Sequence, residues 1–280
     1  MRLSTTLSPY LKNPDGTLRP LSDVIRDAAD DGFAVLDFPL HAVPFLADGE
    51  DWRAPIREAL DAADALGVRF GYAHLPFDFP AEDDTAGWER FDRRVRRAIE
   101  AAAALGVGQA AVHGHCPPRP NYSFDRSFAH VCGFLAPYAA LAREAGVGLC
   151  VENMIKRAMT HLRRFGETPE DILAAADALD IGVCLDTGHA NCSGLDVADA
   201  VRKLGPRLRM VHINDNLGLG DDHLPPFLGN ADWRAIFAAL HECGYPGDCN
   251  FEVNTRHIPP ALLHGFMRSL HDTGAYLLTL

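Results

Sequence analysis

Eight times along this chain a short run of β-branched and other apolar residues gives way to an Ala/Leu/Arg/Glu stretch with helical spacing, and several of the helical stretches stop at a glycine. The runs that predict strands are Leu3–Leu7, Phe33–Phe38, Val68–His74, Gln109–His113, Val147–Glu152, Gly182–Asp186, Leu208–Ile213 and Cys249–Val253. Between them, Asp51–Leu66 places Ile56, Leu60, Ala63 and Leu66 on one face. Trp88–Leu105 keeps Arg93, Arg94, Arg96 and Arg97 largely on its polar side. Thr168-Pro169-Glu170-Asp171 reads as an N-cap followed by proline at the first helical position, and Asn230-Ala231-Asp232-Trp233 opens another helix. Gly67, Gly106, Gly146 and Gly244 stand just past predicted helix ends, where a left-handed C-cap is wanted. Eight strand–helix units in 280 residues predict an α/β fold, a single (β/α)8 TIM barrel. The competing arrangement is a doubly wound open sheet, but no Gly-x-Gly-x-x-Gly follows the first strand and the units run evenly to the C-terminus. With no linker, composition break or low-complexity segment, residues 1–280 read as one domain.

Composition narrows the function classes. A content of 48% hydrophobic and 23% charged residues excludes a disordered chain or a fibre. No apolar run approaches the ~18 residues that a membrane helix needs. The first residues, Met-Arg-Leu-Ser-Thr-Thr-Leu-Ser, are too polar for a signal peptide. Seven cysteines, none spaced Cys-x-x-Cys and several inside apolar runs, predict reduced core thiols and a cytoplasmic protein. The net charge of −12 repels phosphate overall and counts against a nucleic-acid partner, although a local basic groove could still exist; no membrane partner is expected.

In a barrel of this kind the chemistry comes from the C-terminal ends of strands and the loops after them. Six consecutive predicted strands end in polar, metal-capable residues: Tyr72-Ala73-His74, Val112-His113-Gly114-His115, Cys150-Val151-Glu152-Asn153, Leu185-Asp186-Thr187-Gly188-His189, Val211-His212-Ile213-Asn214-Asp215 and Phe251-Glu252-Val253-Asn254. Carboxylates converging on one mouth repel one another unless a cation sits between them. Mixed Asp, Glu and His donors suit a divalent ion such as Mn²⁺, Zn²⁺, Co²⁺ or Mg²⁺. Each residue also has a plainer reading. His74 could be a satisfied rim histidine, at most one of His113 and His115 need be a ligand, Glu152 could bond loop backbone, and Asp186 could cap a short helical turn. Coincidence at six strand ends favours a metal site built on Glu152, Asp186, His212 and Glu252.

Three segments carry a family resemblance: Cys184-Leu185-Asp186-Thr187-Gly188-His189-Ala190, Val211-His212-Ile213-Asn214-Asp215-Asn216, and Asp222-His223-Leu224-Pro225-Pro226 with Gly229 and Asp232-Trp233. Over about two thirds of its length, from strand three to strand eight, the chain resembles the xylose-isomerase-like TIM barrels, a superfamily of sugar and sugar phosphate isomerases and epimerases, inosose dehydratases and the endonuclease IV branch. The resemblance implies one principal divalent metal per chain, held by Glu152, Asp186, His212 and Glu252. It implies that Glu152 and Glu252 also act as acid and base on opposite faces of a ketose, with His189 on a substrate oxygen. His74, His113, His189, Asp221 and His223 match further ligands of the endonuclease branch, as additional metal or substrate contacts. The loop Asn153-Met154-Ile155-Lys156-Arg157 departs from that branch's small, Gly-rich form. Phe227-Leu228-Gly229 replaces the usual Gly-x-Gly, which puts that loop's geometry in question. Leu217 stands where a ketohexose epimerase usually has a substrate arginine.

Lys156, Arg157, Arg163 and Arg164 read either as an anion clamp at the mouth or as a solvated loop and helix face. Asn254 and Arg256 follow strand eight within reach of a substrate, and His41 follows strand two. Phe77, Phe79, Trp88, Phe227 and Trp233 divide between pocket wall and ordinary packing. The expected activity is a metal-dependent isomerase or epimerase that moves a proton beside the carbonyl of a sugar or keto-inositol, with dehydration of a keto-inositol close behind. The rivals are an endonuclease IV-like phosphodiesterase and a non-catalytic barrel that keeps the ligands. The expected partner is a small sugar-like substrate, and the family allows a homo-oligomer.

Overall fold

The computed structural model describes residues 1–47, 49–156 and 162–280. Eight parallel strands, β1 (Leu3–Thr6), β2 (Val35–Phe38), β3 (Arg69–His74), β4 (Gln109–Val112), β5 (Gly148–Glu152), β6 (Gly182–Asp186), β7 (Leu208–Ile213) and β8 (Cys249–Phe251), pair in sequence order. β8 closes on β1, so the sheet is a complete barrel with no free edge. Around it lie α1 (Leu21–Asp30), α2 (Arg53–Leu66), α3 (Thr85–Ala104), α4 (Phe124–Glu144), α5 (Pro169–Leu179), the short α6 (Thr187–Cys192), α7 (Val197–Leu204), α8 (Trp233–Glu242) and α9 (Leu263–Leu277). The (β/α)8 barrel predicted from the alternation is therefore the fold.

Local signals explain the helix ends. Thr168 accepts from the Asp171 amide with Pro169 at the first position of α5. Asp232 caps α8 by accepting from Ala235 N. Gly67, Gly106, Gly146 and Gly244 all take positive φ just past helix ends. The predicted strands Gly182–Asp186 and Leu208–Ile213 match the ladder, and the other six overrun it by one or two residues. β8 stops at Phe251 rather than Val253, because the Asn254 N–H bonds to His223 O at 2.8 Å and draws the chain toward the loop after β7. All seven cysteines are unpaired; Cys150 and Cys184 are buried in the barrel, while Cys116, Cys132 and Cys243 are only half-buried.

The core has two parts. The larger lies between the sheet and the helices. The smaller fills the barrel lumen and consists of Val35, Tyr72, Ala111, Cys150, Cys184 and Met210, one residue from each of β2 to β7. Side chains along a strand alternate in direction, so the residue two places on points into the same lumen one layer higher. Those residues are Asp37, His74, His113, Glu152, Asp186 and His212. The apolar layer is thus the floor on which a polar layer stands, at the C-terminal mouth of the barrel.

Candidate metal centre and substrate cleft

Glu152 is the hub of that layer. Its side chain is 1% exposed, with His74 Nε2 at 3.1 Å and His113 Nε2 at 3.3 Å from Oε2, and His212 Nδ1 at 3.4 Å and His189 Nδ1 at 3.6 Å from Oε1. Burial alone would raise its pKa; the imidazoles of His212 and His113 more than reverse this and hold the carboxyl well below the usual range. His212 Nδ1 also lies 2.9 Å from Glu252 Oε2 and 4.0 Å from Asp186 Oδ2. The approach to Glu252 is not an aligned hydrogen bond: both ring nitrogens of His212, and Nε2 of His113, are buried without a hydrogen-bond partner.

Ligand atoms of Glu152, Asp186, His212 and Glu252 lie within 4.8 Å of one another. Three carboxylates and an imidazole so placed, with orphaned ring nitrogens among them, fit a divalent cation better than any pairing within the protein. Four further sets share members with this one, among them His74 and His113 with Glu152, and His189 and His223 with Asp186.

Neighbours fix the aim of each donor. Asp186 Oδ1 accepts from His189 N at 2.6 Å and so caps α6, while Oδ2 accepts from Asn214 Nδ2 at 2.8 Å. The capping reading of Asp186 holds, and its carboxylate also lies in the cluster with Glu152, His212 and Glu252. The glycine of Asp-Thr-Gly-His is required here, since a Cβ on Gly188 would lie 1.8 Å from Asn214 Oδ1. Asn153 ties the layer together by donating to Asp186 O and accepting from Asp186 N. Asp221 bridges His189 and His223 at 3.2 Å each. Burial lowers both histidines, but Asp186 and Asp221 more than reverse this and carry each up to about 10.

The loop after β7 keeps its form despite Phe-Leu-Gly. Phe227 itself takes the left-handed conformation, with φ of 71°, that a glycine would supply, and its N–H donates to Asp215 Oδ2. Asp215, fully buried, also accepts from Ala231 N and Trp233 Nε1. Trp233 is therefore structural, whereas Phe77 is 36% exposed and packs against the rings of His41, His74 and His113.

A cleft of about 600 Å³ opens above the polar layer, lined among others by Thr6, Ser8, Lys12, His41, Phe77, Asp221, His223, Glu252, Asn254 and Arg256. Glu252, with a side chain 25% exposed, faces it, and Glu152 lies beneath. Asn254 and Arg256 are on its wall. Lys156 is exposed and not on that wall. Arg163 pairs with Asp171 and stacks over Tyr122, and Arg164 donates to Ile155 O. Arg157 lies outside the described residues. Asp37, outside the predicted site, is a buried carboxylate on β2 that accepts from Asn250 Nδ2 and stands 3.9 Å from His212 Nε2. Its signal was a lone acid inside the apolar run Val35-Leu36-Asp37-Phe38.

Residues 25–270 match the family model described as the xylose isomerase-like TIM barrel. The y4fM protein of Sinorhizobium fredii is 33% identical over 111 residues, 39% of this chain and 34% of that one. The L-ribulose 3-epimerase of Mesorhizobium japonicum is 35% identical over 127 residues, 42% of this chain and 38% of the enzyme. The chain spans from about a third to about half the length of the first curated relatives it matches, 34% to 54%. Among solved structures, a D-tagatose 3-epimerase-like protein superposes with a TM-score of 0.77 at 21% identity, covering 100% of this chain and 98% of that one, which shows a shared fold. Among the described residues no helix is long and apolar enough to cross a membrane. With the family model spanning β2 to α9, the chain belongs to the xylose isomerase-like TIM barrel family.

Proposed function

We propose that this protein is a divalent-metal-dependent epimerase or isomerase of a small polyhydroxylated ketone, working by proton transfer next to the carbonyl. The observation that carries the proposal is the convergence of Glu152, Asp186, His212 and Glu252 beneath an open cleft, with two glutamates from strands three apart on the eight-strand ring. Relatives whose names denote ketose 3-epimerases support the substrate class. A cation held by the four residues would supply Lewis-acid stabilisation of the negative charge that develops on the carbonyl oxygen. Glu252, open to the cleft, accepts the proton from the carbon beside that carbonyl, and Glu152 on the far side of the cluster exchanges a proton with the opposite face. His189 and His223 are held by Asp221 through Nε2 and by Asn153 O and Glu252 O through Nδ1, so they fix Asp221 and the Glu252 backbone at the cleft rather than offer a free N–H. Phe77 covers the apolar face of the sugar. We further propose that residues 1–280 act as one domain.

A second reading is favoured by one observation, the two extra donor sets around His74 with His113 and around His189 with His223. Filled with ions, they would suit a phosphodiesterase that activates water. Elemental analysis of purified protein, together with a ketose panel followed by ¹³C NMR and a nicking assay on abasic DNA, separates the two. One ion per chain and interconversion of ketoses support the epimerase. Three ions, nicking and an inert panel replace it with the hydrolase.

A further inference from the structure

We infer that the substrate carries an anionic group, a phosphate or carboxylate, at the end remote from its carbonyl, and that Lys12 and Arg256 read it. The inference rests on the epimerase reading for the position of the carbonyl. Lys12 is in the loop after β1, where its backbone bridges to Leu18, and Arg256 is in the loop after β8. Those strands are hydrogen-bonded neighbours, so the two cations rise from adjacent loops on the same side of the cleft. Lys12 and Arg256 are exposed, whereas Glu252 is half-buried and Glu152 buried, which sets both cations on the solvent side of the proposed proton-transfer site.

Among the residues lining the cleft, the lysine and arginine side chains are those of Lys12 and Arg256. In a chain with net charge −12, arginines such as Arg94, Arg119, Arg163 and Arg207 are committed to Asp78, Glu82, Asp171 and Asp177. Lys12 and Arg256 make no side-chain ion pair with any described residue. The cleft carboxylates, Asp221 and Glu252, are already engaged by His189, His223 and His212. Thus the uncompensated charge on the wall is positive and stands at the outer end, while the acidic cluster occupies the floor. A substrate with a carbonyl at one end and an anion at the other meets attraction at both ends. A reversed pose would set its anion against Glu252. Arg256 offers a planar fork of donors and Lys12 a point charge, a combination suited to a tetrahedral or carboxylate oxyanion. Thr6, Ser8, Asn254 and Thr255 supply neutral partners for the hydroxyls between.

The test uses the full chain loaded with Mn²⁺ and three matched probes: D-fructose, D-fructose 6-phosphate and D-fructuronate. Binding is measured by calorimetry and solvent deuterium uptake by NMR. At least one anionic probe should bind about tenfold more tightly than fructose, and Lys12→Met and Arg256→Gln should each cost that probe about threefold while leaving fructose and Mn²⁺ binding unchanged. The stronger of the two anionic arms identifies phosphate or carboxylate as the group read. Equal binding of all three probes overturns the inference, as does a preference for anions that survives in Lys12→Met/Arg256→Gln, since the anion would then sit on the metal. A cation-dependent preference without deuterium uptake from any probe keeps the anion site and refutes the epimerase reading instead.

Discussion

Replacing Glu152 by glutamine should separate the architecture of this site from its chemistry. The carboxylate is 1% exposed and faces four imidazole nitrogens at 3.1 to 3.6 Å. Glutamine is nearly isosteric, but it removes the negative charge and turns one acceptor into an N–H₂ that meets other donors. His212, raised well above its ordinary pKa because nearby Cys184, Glu252 and Glu152 outweigh its burial, loses one of its counter-charges inside the barrel. Removing one partner of a buried ionic cluster typically costs roughly 3–5 kcal/mol. For a chain of this size, at roughly 2–3 °C per kcal/mol, that is a fall in melting temperature of roughly 6–15 °C. Thermal melts followed by circular dichroism in EDTA, so that metal affinity does not enter, measure it directly. Glu252→Gln is the internal comparison: its side chain is partly exposed and, among the described residues, approaches one imidazole within 4.0 Å, that of His212, with His74 farther off, so its melting temperature should fall by no more than a few degrees. A Glu152→Gln protein that melts within 2 °C of wild type would refute the view of Glu152 as the electrostatic hub.

Other consequences can be checked together. Glu252→Gln should lower turnover of a competent ketose by about 10²–10⁴ while the protein stays folded, measured as initial rates at saturating metal. Gly188→Ala should force Asn214 off Asp186 and cost about 1–3 kcal/mol in a denaturant titration, since its Cβ meets Asn214 Oδ1 at 1.8 Å. In the metal-free protein, His189 and His223 carry pKa values raised from 6.5 to about 10. Their contribution to stability is therefore complete below pH ~6.5 and declines as the pH rises through about 10. Melting temperatures should fall over that window, and Asp221→Asn should flatten the fall; parallel curves for the two proteins would contradict the pairing.

Much of the site was legible because two periodicities reinforce one another. The strand–helix alternation predicts the barrel, and the period of two along each strand then places His74, His113, Glu152, Asp186 and His212 in one layer above Tyr72, Ala111, Cys150, Cys184 and Met210. Glu252 and Asp186 stood out because apolar strands run into them. Asp37 obeys the same rule, two places after Val35, yet it was hidden by the apolar residues that follow it, Phe38 and Leu40, where other strand ends turn polar. Lys12 was hidden for another reason: its place on the cleft follows from closure of β8 onto β1, a contact between the two ends of the chain that no local pattern reveals. The basic run after β5 looked like a clamp because loop residues carry no direction in sequence; in the fold Arg163 turns to Asp171 and Tyr122. Phe227 was a true departure from glycine chemistry, and the loop holds its shape because Asp215 binds three backbone amides and an indole there.

Solvent exchange at the carbon beside the carbonyl tests the central claim most directly. Protein loaded with one equivalent of Mn²⁺ or Co²⁺ is incubated in D₂O with ketoses, their terminal phosphates and carboxylates, and keto-inositols, and deuterium is located by NMR. Proton transfer between Glu152, Glu252 and substrate predicts deuterium at that carbon in at least one compound, at a rate abolished by EDTA and suppressed in Glu152→Gln and Glu252→Gln. A panel that stays fully protonated while the same protein cleaves a phosphodiester would contradict the epimerase account.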